Sequence, residues 1–93
     1  MADKKVTVTI GATISVNPDP IEVRVNNDKA KWENTNGIPF AIVLPSGYPP
    51  PSCGPQGTNY VCTSQTFGST GKIKYTVTSP GKTPLDPEVD VVP

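Results

Sequence analysis

Apolar and polar residues alternate with period two along most of the chain. Residues 5–10 read Lys-Val-Thr-Val-Thr-Ile, with Val6, Val8 and Ile10 on one face and Thr7 and Thr9 on the other. That period predicts a strand with one face buried. After Gly11, residues 12–16 continue in the same style with Ile14 and Val16 inward. Asn17-Pro18-Asp19-Pro20 turns the chain, its prolines fixing φ twice. Ile21, Val23 and Val25 then alternate with Glu22 and Arg24. Asn26-Asn27-Asp28 predicts a hairpin turn, because Asn and Asp tolerate positive φ. Residues 29–33 place Ala30 and Trp32 inward, with Lys29, Lys31 and Glu33 outward. Asn34-Thr35-Asn36-Gly37 is a further turn, and residues 38–44 are apolar throughout, which predicts a central strand covered on both faces.

The pattern stops at residues 45–60. This stretch is rich in Pro and Gly, and Pro49-Pro50-Pro51 favours polyproline II. A long irregular loop in a small domain is usually functional or mobile. Strand character resumes over 60–67. Residues 72–78 set Ile73, Tyr75 and Val77 against Lys72, Lys74 and Thr76, and 86–92 close the chain with Val89 and Val91 inward. No helical period persists for three turns. Seven to eight short strands with turns between them predict an all-β fold, an antiparallel Greek-key β-sandwich, as one domain over 1–93. Ninety-three residues suffice for one modest core.

Composition narrows the chemistry. There is no histidine, so the commonest general base and the commonest metal ligand are both missing. Eight basic residues balance eight acidic ones, which argues against nucleic acid or an anionic membrane as partner. The longest apolar run, residues 40–44, is far too short for membrane insertion. The polar start, Met1-Ala2-Asp3-Lys4-Lys5, shows no signal peptide. A cytoplasmic location follows if Met1 is the native start. An extracytoplasmic one follows if the start is a processed end and the cysteines are bridged.

Three stretches carry a resemblance to a known family. Asn17-Pro18-Asp19-Pro20-Ile21-Glu22-Val23-Arg24-Val25 is followed by a polar turn and Ala30-Lys31-Trp32-Glu33-Asn34. Next comes Ile38-Pro39-Phe40-Ala41-Ile42-Val43. The last is Gly71-Lys72-Ile73-Lys74-Tyr75-Thr76-Val77-Thr78-Ser79-Pro80-Gly81, with Asp86-Pro87-Glu88-Val89-Asp90-Val91 behind it. Together they resemble the cupredoxins, the plastocyanin- and azurin-type copper sandwiches. The resemblance implies a cupredoxin-like fold and sets Phe40, Thr78 and Gly81 where a copper-binding relative holds ligands. No ligand carries over, so the expectation is a module without cofactor or metal.

Each residue with candidate chemistry also has a plainer role. Cys53 and Cys62 bracket part of the irregular loop, and a disulfide closing ten residues would stabilise by roughly 2.7 kcal/mol in the chain-entropy model. The alternatives are free thiols, a poor two-thiolate metal pair, or a cysteine nucleophile without its base. Trp32 reads as a core aromatic before a sugar-stacking platform, and Tyr75 as core with its hydroxyl at an edge. Asp86, Glu88 and Asp90 alternate along a strand, which spreads carboxylates over a wet face rather than gathering them about calcium. Tyr48, Pro49, Pro50, Pro51 and Tyr60 form the candidate binding surface, since rigid aromatics and prolines lose little entropy on binding. The expected function is therefore non-catalytic binding of a protein partner, or of a second copy as a homodimer, through the 45–60 loop or an edge strand. Carbohydrate binding by exposed aromatics is the alternative, and copper-based electron transfer is disfavoured by the missing histidine.

Overall fold

The alternating stripes find one shared interior between two β layers. The computed structural model describes residues 3–93; Met1 and Ala2, on which the leader reading partly rests, lie outside the described residues. Ten strands follow one another: β1 (Asp3–Ile10), β2 (Ile14–Asn17), β3 (Ile21–Arg24), β4 (Lys29–Asn34), β5 (Ala41–Val43), β6 (Ser52–Gln56), β7 (Asn59–Thr63), β8 (Gly71–Lys74), β9 (Thr76–Thr78) and β10 (Glu88–Val92). The first layer has the order β2-β1-β4-β7-β6. The second joins β3-β10-β8 to β5-β9.

The two parts of the second layer are joined because β8 and β9 are one extended run. It changes partners at Tyr75, pairing with β10 before it and β5 after it. The Tyr75 N–H donates to Pro87 O at 3.0 Å, and Val77 and Leu85 exchange bonds of 2.8 and 3.0 Å. Val6, Val8, Ala30, Trp32 and Cys62 of the first layer meet Ile21, Val23, Tyr75, Val77, Val89 and Val91 of the second. Trp32 is 0 % exposed and packs on Tyr75 with ring centroids 5.1 Å apart.

The structure corrects five expectations. The sheets are mixed rather than antiparallel: β1 runs parallel to β4, and β3 parallel to β10. Ten strands replace seven or eight, because the 72–78 run divides between partners and an extra strand forms inside the Pro-rich stretch. Asn26, at φ +57°, turns no hairpin but carries the chain across from the second layer to the first. Val25 and Asn26 donate instead to Val92 O and Phe67 O, both at 2.8 Å. Residues 38–44 do not form a covered central strand. Pro39 has no N–H to give, and the three-residue β5 is a sheet edge with Ile42 buried and Ala41 and Val43 exposed.

The fifth correction is the 45–60 loop. Its second half is β6, which forms a hairpin with β7 through Gly57-Thr58. Gly57 has φ +60° at the first central position, as a II′ turn requires. Pro55 is tolerated because β6 is the outer edge of its layer. Gly37, at φ +72°, closes the neighbouring turn against this hairpin, where a Cβ would sit 2.8 Å from Thr58 O.

Candidate functional site

Charge is distributed unevenly over these layers. No Asp, Glu, Lys or Arg occurs between Glu33 and Lys72, so all eight basic and all eight acidic side chains lie on the flanking segments. The uncharged stretch supplies β5, β6 and β7 with their connections. The signal was legible in the sequence as a gap in the charges, and a residue-by-residue search for chemistry passes over it.

Asn34 sets the entry to this region. Its Nδ2 donates to Val8 O at 3.0 Å, and its Oδ1 accepts from the N–H groups of Asn36 and Ile38, each at 3.0 Å. Sequence pattern marks Asn34 only as a turn residue. In the fold it is a buried bracket, 2 % exposed, that ties β4 to β1 and directs the chain toward β5. Beyond it, Pro39, Phe40, Ala41, Thr78, Ser79 and Pro80 line an open depression of about 360 Å³. Ala41 stands opposite Thr78 in the β5–β9 register. The Ser79 hydroxyl donates to Pro39 O at 2.9 Å and holds the rim closed. Val43, beside it, is 55 % exposed, the exposed large hydrophobic among the described residues.

The binding residues expected from sequence fall around this end. Tyr48 is half-buried with its ring 5.9 Å from Phe67, and its N–H donates to Pro45 O at 3.3 Å. Pro49 and Pro50 are exposed, and Pro51 is half-buried. Tyr60, on β7, meets Phe40 edge-on at 5.5 Å. The two tyrosines thus pack on different phenylalanines rather than forming one platform. Cys53 and Cys62 stand opposite each other on β6 and β7 and are joined as a disulfide, with Cα atoms 4.0 Å apart.

The ionisable groups that border this stretch serve the fold, with Lys31 and Glu33 of β4 standing opposite Thr63 and Val61 of β7. Asp28 is 1 % exposed, and its carboxylate accepts from Arg24 N–H at 2.8 Å and from Asn27 Nδ2 at 2.9 Å. The backbone bond from Arg24 leads in holding its pKa below 3.8. Glu33 is likewise lowered, chiefly by its bond from Lys5, 3.0 Å away. Tyr75 is pushed up to about 12 by burial. Its hydroxyl and Trp32 Nε1 lie buried beside each other without a well-formed hydrogen bond, and the Trp32 side chain offsets only part of the upward shift. Glu88 and Asp90 stand opposite Lys74 and Lys72 on the outer face, and Asp86 Oδ1 accepts from the Thr76 hydroxyl at 2.8 Å.

Among the described residues, no three His, Cys, Asp or Glu side chains come together as a metal would need. Phe40 and Thr78 line one depression, with Gly81 following Pro80 at its rim. These residues offer neither imidazole nor thiolate, the donors that a copper site of the sandwich proteins would need. No family model matches the chain, and neither a curated protein nor a solved structure does so.

Proposed function

We propose that the chain is a cupredoxin-like Greek-key module that acts by binding, without catalysis or metal, and that its partner is a protein surface docked on the uncharged end. The observation that carries this reading is the absence of charge from 34–71, coupled with the exposed Val43 and the apolar depression beside it. The centres of protein interfaces are depleted in Lys, Glu and Asp and enriched in aromatics. Pro49 and Pro50 add exposed surface that is already rigid. Support for the cupredoxin part is the convergence of Phe40 and Thr78 on one depression, since the resemblance gives both the place of ligands.

The test is partner capture by the wild type beside a Val43→Glu/Pro50→Glu variant, with Glu22→Lys as a control on the charged side. Both altered residues are exposed, so stability should move by only about 0.5 kcal/mol. Partners held by the wild type and the control should be lost by the double variant, and capture should survive 0.5 M salt. Equal recovery by all three proteins ends the proposal. A glycan hit abolished by Tyr60→Ala, with no protein captured, would replace it with carbohydrate binding.

A further inference from the structure

We propose that the Cys53–Cys62 bond is a thiol-exchange site, attacked at Cys53, whose reduction releases strand β6 while the rest of the sandwich stays folded. The two sulfurs occupy unlike surroundings. Cys62 is 0 % exposed and belongs to the core, whereas Cys53 is exposed on the outermost strand. β6 ends its sheet, so no further strand lies beyond Cys53 to cover it. An incoming thiolate therefore meets Cys53 Sγ first.

The electrons follow from this asymmetry. A dithiol supplies a thiolate that bonds to Cys53 Sγ, and the Cys53–Cys62 bond breaks with its electron pair going to Cys62 Sγ. Burial disfavours a thiolate there, so Cys62 takes up a proton. Its thiol then has an acceptor in place: Phe40 O lies 3.9 Å from Cys62 Sγ. The second thiol of the reductant, giving up its proton, attacks the reductant's own sulfur in the mixed disulfide and expels Cys53 as thiolate, which then takes up a proton. Two electrons and two protons have passed to the protein, and the reductant leaves as a cyclic disulfide.

Little else holds β6 in place. Its burial pattern contains no buried residue, and its partner on the sheet is β7 alone. Gly54 and Pro55 are poor strand residues, and Pro55 has no N–H for the ladder. A ten-residue closure restrains opening by on the order of 100-fold in the chain-entropy model. β6 directly follows Tyr48-Pro49-Pro50-Pro51, so its release would reshape the uncharged end. That consequence for recognition rests on the binding reading above; the exchange chemistry does not.

The experiment treats the oxidised chain with dithiothreitol under native conditions. It then applies a brief pulse of iodoacetamide and locates the label by mass spectrometry. Cys53 should label at least ten-fold faster than Cys62. Hydrogen exchange should show the amides of Ser52, Gly54 and Gln56, which face β7, losing protection by on the order of 100-fold, with β1, β4 and β10 unchanged. Cys53→Ser should open the same strand without reductant. Equal labelling, resistance to dithiothreitol, unchanged exchange in β6, or collapse of Trp32 emission on reduction would each overturn the proposal. These readings contain no partner, so they fail separately from the binding reading. Equal partner capture by oxidised protein and by protein shown to have β6 open would overturn the consequence for recognition alone.

Discussion

Replacing Asn34 by alanine should cost this chain a large part of its stability. The side chain makes three bonds of 3.0 Å from a buried position, one to Val8 O and two from the N–H groups of Asn36 and Ile38. Each such bond contributes about 1 kcal/mol net, and Val8 O is left in a buried place while the N–H groups of Asn36 and Ile38 are partly reached by water, so the loss should be about 3 kcal/mol. A chain of this length has a total of only about 5–14 kcal/mol. The midpoint of thermal unfolding should fall by roughly 12–24 °C. Urea titration followed by the emission of Trp32, the chain's one tryptophan, measures the loss directly. A companion variant, Asn34→Asp, keeps the acceptor for Asn36 and Ile38 but presents an anion to Val8 O. It should be weaker than the wild type at pH 7 and recover as acid restores a donor. A loss below 1 kcal/mol for the alanine variant, or wild-type stability for the aspartate variant at pH 7, would refute the bracket role.

Two further outcomes follow from the buried polar groups. Tyr75→Phe should leave stability unchanged or raise it, because the hydroxyl it removes is buried without a well-formed hydrogen bond; a loss above 1 kcal/mol by urea titration would show that the hydroxyl is satisfied. Asp28 binds its proton less readily folded than unfolded, so its contribution is complete above pH 3.8 and is lost as pH falls through the lowered folded value. Asp28→Asn should therefore flatten the decline in urea midpoint between pH 4 and 2, and an unaltered slope would assign that decline to other carboxylates.

The buried stripes were legible in the sequence wherever one strand face meets the core. Val6 and Val8, Ile21 and Val23, Ala30 and Trp32, and Ile73, Tyr75 and Val77 all lie inward as their alternation predicts. Partner choice was not legible, because period two says which face is buried and nothing about which neighbour receives the hydrogen bonds. Hence the parallel β1–β4 pair and the change of partner at Tyr75 went unseen. Residues 38–44 misled for a different reason: hydrophobicity without alternation reads as burial on two faces, yet Val43 faces outward. β6 was hidden by Gly54 and Pro55, whose strand character depends on an edge position that only the assembled sheet provides. At the candidate site, the cysteine pairing was within reach of sequence, and the joint position of Phe40 and Thr78 required the fold.

The placement of proline along the strands bears on how concentrated this protein can become. The sheets end on β2 and β6, on β3 and β8, and on β5 and β9, and β9 is covered on its second side by the Val77–Leu85 bridge. Pro18 follows β2, Pro20 precedes β3, Pro39 and Pro45 flank β5 at short range, and β6 follows Pro51 and contains Pro55. These open rows of backbone groups are thus short and interrupted, and the remaining edge, β8, is four residues long and carries the exposed Lys72 and Lys74, so each is a poor template for a neighbouring molecule's strand. A surface without charge has no electrostatic repulsion to keep copies apart, and here that duty passes to the backbone. Copies crowded together would find little open edge to pair with, which makes the folded chain a poor seed for fibrils.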